Sequence, residues 1–390
     1  MVAGEVGKHG GAEPRAFESW NLPLLELEQF RALDADRQYP VSLAQARYLL
    51  GFSLLAPSSH NTVPQAYRLD LPHSRIELWL QRGRVLPASD PTGQQALISL
   101  GCAAENLVLA AAQYGIGCSW QADADLDWSR VTPSPSPLPV RVGHFLLSPS
   151  SPVPDAQSRR LALLAMLERR TVRAEFDPAE RMPPRLRASL ESVLGPGGPI
   201  RLSWFESSTE KFAWGKLDEL ASKHKLEERA FQRELGEWLL PNEDDRSPRG
   251  MRGREFGFDD VLTRELSAQL RGQAPMAVDQ LAFMARAGRV GLCSASVVCV
   301  LSSHDQSADT ALAVGRAFQR CALLARAEDF ACAVHTAVCE VPHARAMSQA
   351  TLTPEGMTPR MIFRLGKPRK TTDATRTPSS RPLLDDLLLG

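Results

Sequence analysis

A chain of 390 residues with an ordinary globular composition has room for two domains or for one large duplicated one. Its 45 basic and 45 acidic residues cancel, so no global field advertises nucleic acid or an acidic membrane surface as a partner. The seven cysteines are odd in number and contain no C-x-x-C pair, and they read as small buried hydrophobes in a reducing, cytoplasmic setting.

Residues 1 to 41 read as a polar tail with a short helical segment, and no apolar run there marks a signal peptide. Ser42 to Ala56 has a helical pattern with Ser42 as its cap. Pro57 cannot continue that helix, and Ser58, Ser59, Asn61 and Thr62 follow with donors and acceptors on short stems. Tyr67 to Leu71 and Arg75 to Gln81 alternate as a hairpin, with Ile76, Leu78 and Leu80 on one face. Leu97 to Trp120 begins as a helix whose apolar groups at 97, 100, 104, 107, 108 and 111 form one buried stripe. Val140 to Leu147 reads as a strand, and the Pro/Ser-rich stretch Ser148 to Pro154 marks a boundary between halves.

Beyond that boundary lies the basic segment Arg169-Arg170-Thr171-Val172-Arg173. Its guanidinium forks and hydroxyl suit phosphate oxygens, and they equally suit a solvated helix end. Arg201 to Phe205 is a short strand, Thr209 to Leu240 a charged helical excursion, and residues 241 to 258 a loop. The glycines around Arg249 to Arg254 would serve a lid or a plain surface connection. The longest apolar stretch, around Val290 to Leu301, is interrupted by Ser294 and Ser296 and is too short to span a bilayer.

A shift of 214 residues lays Leu97 to Trp120 on Ala311 to Val334, matching Gly101 to Gly315, Ala103 to Ala317, Leu109 to Leu323 and Cys118 to Cys332. A strand follows in each copy, Val140 to Leu147 and Arg360 to Gly366, which implies two copies of one α+β unit. Zinc spacings, a G-x-S-x-G elbow and a phosphate loop ending in Gly-Lys-Ser/Thr are missing, which argues against metal and hydrolase chemistry.

The turn from Pro57 to Pro64 resembles the flavin-contacting turn of the nitroreductase superfamily, and Arg169 to Arg173 resembles the R-R-S/T-x-R signature of the same family. In ordinary members the arginine segment comes first, and each flavin is held by the arginines of one subunit and the turn of the other. Here the order is reversed, the turn in the first half and the arginines in the second. That order, with stretches from Trp79 to Gly93 and from Pro359 to Gly366, resembles the Acg-like branch, in which a fused pair of domains mimics the dimer.

The resemblance implies an α+β, nitroreductase-like fold, internally duplicated as a pseudo-dimer in one monomeric chain. Its halves would be 42–154 and 155–390, the second carrying a helical insertion at about 209–288 and a C-terminal extension. It implies one FMN, with Arg169, Arg170, Thr171, Arg173 and Arg381 holding phosphate and pyrimidine and Ser58, Ser59 and Asn61 reaching ribityl chain and ring. For the C-terminal phosphate ligand, Arg376 and Lys367 stay open beside Arg381. The implied activity is a ping-pong cycle, in which NAD(P)H delivers hydride to flavin N5 and a small electron-poor acceptor, a nitroaromatic or quinone, takes the electrons. Departures affect that activity: Val63 and Gln65 replace an amide and an indole, and Val334-His335-Thr336-Ala337 replaces the usual segment near N5. His335 then reads either as a proton donor or as a hydrogen-bonded filler. The alternative to turnover is a protein that sequesters or stores FMN.

Overall fold

Ser42 accepts a hydrogen bond from the Gln45 backbone N–H at 3.1 Å, and Gln45 Oε1 accepts from the Ser42 N–H at 3.1 Å; this reciprocal cap starts a helix at the expected place. The computed structural model describes residues 22–33, 40–134, 138–149, 152–195, 197–243, 247–277, 279–369 and 379–390. In the first half the elements are α1 (Leu27–Ala32), α2 (Leu43–Leu54), β1 (Gln65–Asp70), β2 (Arg75–Leu80), α3 (Gln94–Gln113), β3 (Gly117–Ala122), α4 (Trp128–Val131) and β4 (Val140–Ser148). Then come α5 (Ala156–Glu168), α6 (Pro184–Glu191), β5 (Ile200–Phe205), α7 (Ser208–Glu227), α8 (Arg229–Trp238), β6 (Leu239–Leu240) and β7 (Met251–Arg252). The chain continues through α9 (Asp260–Leu270), α10 (Gln280–Ser294), β8 (Val297–Ser303), α11 (Ala308–Ala327), β9 (Ala331–Val334), α12 (Ala337–Glu340), α13 (Pro342–Thr351) and β10 (Thr358–Gly366).

The fold is α+β. One antiparallel sheet has the order β1-β2-β4-β3 and a second the order β5-β8-β10-β9. In both, a helix of 20 residues links the second strand of the order to the fourth, α3 in one case and α11 in the other. Ile76, Leu78 and Leu80 are fully buried on β2, each contributing roughly 2 kcal/mol of transfer free energy.

α3 and α11 pack directly on each other. A Cβ on Gly101 would lie 2.1 Å from the Leu312 carbonyl oxygen, and one on Gly315 would lie 2.0 Å from that of Ile98, so only glycine permits this approach. The two glycines aligned by the sequence echo therefore face each other. Beside them the fully buried Glu105 accepts from Arg316 Nε at 2.8 Å and pairs with Arg320, and Gln319 Nε2 donates to Asn106 Oδ1 at 2.7 Å. The largest hydrophobic cluster among the described residues joins both sheets, from Phe30 and Leu49 to Leu301, Phe363 and Leu387, and a second one packs Val298, Val300, Ala333 and Ile362 of the second sheet against Trp214 and Phe176. The C-terminal end closes back on the first sheet, where the Leu389 N–H donates to the Tyr67 carbonyl at 2.7 Å.

Two expectations need correction. α3 does not show one apolar stripe: even Gln95, Ser99, Glu105 and Asn106 are buried, because the helix lies among α2, α5, α11 and its own sheet. By length and composition α3 could cross a membrane, yet 83% of its apolar window is buried inside the molecule. The apolar run near Val290 to Leu301 is two elements, the end of α10 and the fully buried strand β8. Within residues 241 to 258, β7 pairs in parallel with β6 and a 3-10 turn covers Gly253–Phe256, so the stretch is partly ordered structure.

Candidate functional site

α2 ends where Pro57 removes the next helical donor, and its last carbonyls need partners. They are capped from the far end of the sequence. Arg381 Nε donates to the Leu54 carbonyl at 2.7 Å and Nη2 to that of Ala56 at 3.2 Å, while Nη1 donates to Asn61 Oδ1 at 2.7 Å. Asn61 Nδ2 donates in turn to the carbonyls of Gly250 at 3.0 Å and Ser380 at 3.1 Å. The turn is left-handed at His60, Asn61 and Val63, with φ of 47°, 54° and 49°. For the β-branched Val63 such a conformation costs on the order of 1–3 kcal/mol, and Ser58 Oγ helps hold it by accepting from the Val63 N–H at 3.0 Å.

The arginine segment runs extended against β9, with Val172 N–H donating to the Cys332 carbonyl at 2.9 Å. Arg364 fastens it from behind: Nη2 donates to the carbonyls of Arg173 at 3.1 Å and Ala174 at 2.9 Å. Arg169 Nη2 reaches the Leu55 carbonyl at 3.2 Å, and Arg173 pairs with Glu255 at 3.2 Å over the Phe256 ring. Burial lowers the Arg170 guanidinium to about 10, with Arg169 and Arg326 adding to the shift through like charge. Burial likewise depresses Arg381, with Arg169 and Arg170 as cationic neighbours.

Ser58, Asn61, Arg169, Arg170, Arg173 and Arg381 line one small cavity of about 40 Å³, with Thr171 beside them. Through Ser58, Thr171, Arg173 and Met251 it shares walls with a cavity of about 340 Å³, which Ser59 also lines. The larger cavity has apolar walls from Ile98, Phe231, Met284 and Phe318 and a polar end at Asp90, Lys225 and Glu340. The narrow end is thus cationic and the wide part mainly apolar, a shape and charge suited to an anionic group joined to an apolar body.

The candidate residues fall into place unevenly. Asn61 and Arg381 are engaged with one another and with backbone, so they brace the cleft wall. His335 lines neither cavity: Arg364 Nε donates to its Nε2 at 3.1 Å, and Nδ1 faces Asp218 Oδ2 at 3.4 Å. Lys367 lies on a different cavity, and Arg376 is outside the described residues.

Sequence reasoning missed His60, Asp90, Gln95 and Lys225. Asp90 had a signal, because an Asp shortly before an apolar helix is a capping pattern; here Oδ2 accepts from the Ala96 N–H at 2.8 Å. Burial raises its carboxyl to about 7, against the pull of the Gln95 and Ala96 N–H groups. Lys225 sits in a helix that reads as solvated charge, yet Nζ pairs with Glu340 and donates to the Ser89 carbonyl at 3.1 Å.

Burial, with Lys225 and Arg173 nearby, pushes the His60 imidazole down to about 3. The folded state therefore keeps His60 neutral where the unfolded chain, with an ordinary histidine, binds a proton. Stability due to this group is complete above about pH 6.5 and is lost as pH falls toward about 3. His60→Asn, which tolerates the left-handed turn, is expected to flatten the loss of stability between these limits in urea unfolding. An unchanged slope would contradict the burial of a neutral imidazole.

No protein-family model matches the chain. An uncharacterized protein of Mycobacterium tuberculosis, Rv3127, is 33% identical over 125 residues, 31% of this chain and 33% of that relative. The match thus spans about a third of the relative's length. Among solved structures, the FMN-dependent nitroreductase NfnB from Mycobacterium smegmatis in complex with NADPH is 15% identical with a TM-score of 0.37, over 58% of this chain and 96% of that one. A nitroreductase with bound FMN from Bacteroides fragilis is 16% identical with a TM-score of 0.29, over 54% of this chain and 93% of that one.

Proposed function

We propose that the chain is an FMN-dependent oxidoreductase of the nitroreductase type, in the internally duplicated Acg-like branch, using NAD(P)H as donor and a small electron-poor acceptor. One observation carries the reading: the Ser58 to Asn61 turn and the Arg169 to Arg173 segment, 108 residues apart at their nearest ends, line one cavity. The common strand order of the two sheets and the Gly101–Gly315 contact support a pseudo-dimer within a monomer, with halves at 42–154 and 155–390. A cytoplasmic setting suits seven cysteines that form no disulfide.

The residues present fit FMN. Among the described residues lining the narrow end, four arginines face a single carboxylate, Glu255, and the buried Nε atoms of Arg169 and Arg170 have no hydrogen-bond partner. A phosphate would supply the missing anion. Arg169, Arg170 and the Thr171 hydroxyl would hold it; Arg173 would face the pyrimidine, and Ser58 and Ser59 the ribityl side. When bound, FMN supplies the transfer of electrons from a nicotinamide to an acceptor such as a nitroaromatic or quinone. The protein orients both partners in turn, excludes water with Phe231, Met284 and Phe318, and offers Asp90, poised near neutrality, as a proton source at the polar end.

The test is anaerobic mixing of the FMN-loaded protein with NADPH. Turnover predicts loss of the flavin's visible absorbance and its return on adding a quinone.

A second reading, storage of FMN with little turnover, has its own support. The Gly250 N–H donates to the Asn61 carbonyl at 3.2 Å while Asn61 Nδ2 donates back to the Gly250 carbonyl at 3.0 Å, and Glu255 pins Arg173. The 247–256 stretch is thus fastened across the arginine cluster. Flavin that stays bound and keeps its absorbance with excess NADPH would favour storage over turnover.

A further inference from the structure

The arginine segment also faces a second cavity behind the cleft. Extended backbone points successive side chains to opposite sides. Thr171 and Arg173 line the cleft, whereas Val172 lines a separate cavity of about 460 Å³ behind it. Arg169 and Arg170 border this rear cavity as well, and Arg326 from α11 and Lys367 after β10 complete its rim.

Its charges do not balance. The lining acids are Glu168 and Asp329, and Arg326 engages both, at 2.9 Å and 2.8 Å. Lys367 meets Glu180 at 3.5 Å across a half-exposed, water-screened gap. Arg169 and Arg170 pair with no carboxylate among the described residues; they bond only carbonyls. Phe330, Ala322 and Pro368 add apolar wall. Cations held together by burial, short of anions and beside apolar surface, recognise a phosphorylated small molecule with an apolar moiety.

We infer that the rear cavity is a second anion site, back to back with the flavin cleft and distinct from it. Because Arg169 and Arg170 border both, a ligand on one side alters affinity on the other, and by linkage the effect is reciprocal.

Calorimetric titration of the full chain with phenyl phosphate, with and without saturating FMN, tests the site. Saturable binding that persists beside FMN is expected. Arg326→Gln and Lys367→Met should each weaken it about tenfold, the loss of one charge-assisted hydrogen bond, and Lys367→Met should leave FMN affinity unchanged. Phenyl phosphate that binds only in the absence of FMN, or variants that weaken FMN as much as phenyl phosphate, would make the cavity part of the flavin site and overturn the inference. Lack of phenyl phosphate binding in either condition would overturn it too. If the chain binds no FMN yet binds phenyl phosphate in a Lys367-dependent way, the rear site stands and the flavin reading falls.

Discussion

Gly101→Val is expected to destabilise the protein by more than about 3 kcal/mol, the upper range for overpacking, because the new side chain meets backbone that cannot rotate away. Its Cβ would begin 2.1 Å from the Leu312 carbonyl oxygen, so α3 and α11 must separate to admit it. Separation would also strain the buried Glu105–Arg316 pair and the Asn106–Gln319 hydrogen bond along the same seam. Gly315→Val should cost a similar amount, and the double variant less than the sum, because each glycine faces the other. Urea unfolding measures the cost, and a midpoint equal to that of the parent protein would contradict the tight crossing. FMN affinity should fall with stability, since the cleft draws its walls from both sides of this seam.

Arg381→Ala has the second large effect. The side chain caps the carbonyls of Leu54 and Ala56 and holds Asn61 Oδ1, all in a buried setting, so its removal leaves several acceptors without donors. A loss of about 3 kcal/mol is expected from unmade hydrogen bonds to a charged group. FMN binding should weaken on the order of a hundredfold, because a cation leaves the cluster and the turn it braces is released. Arg381→Lys separates the two contributions: it restores a point charge without the fork and should recover affinity more than stability. Unfolding curves and flavin fluorescence titrations of both variants check this, and a stable Arg381→Ala protein with full FMN affinity would remove Arg381 from the account.

Much of the scaffold was legible because local signals and packing agree. Ser42 with Gln45 starts α2, Pro57 ends it, and alternation at Ile76, Leu78 and Leu80 sets the face of β2. The echo of Gly101 in Gly315 was visible as sequence, and their mutual contact explains why both positions hold glycine. What stayed hidden depends on long-range packing. β8 carries no alternation because both of its faces are buried, and α3 hides its polar groups in partnerships with distant residues.

The site follows the same division. The serine-asparagine turn and the arginine segment stand out as short motifs, so their convergence was expected from the resemblance. The bracing of Asn61 by Arg381 and Gly250 spans 320 and 189 residues, and no local pattern announces it. Lys225 looks solvated in its own helix and enters the cavity only because α7 packs across the end of the cleft. His335 is the converse case, a residue with suggestive chemistry that the fold spends on holding Arg364.

In the proposed function a single flavin site is assembled from the turn of the first half and the arginines of the second. Equilibrium titration of the full chain with FMN tests it most directly. Saturation at one FMN per chain is expected, with binding lost when Arg169 and Arg170 are both replaced by alanine. Two equivalents per chain, no binding, or one equivalent indifferent to those arginines would contradict it.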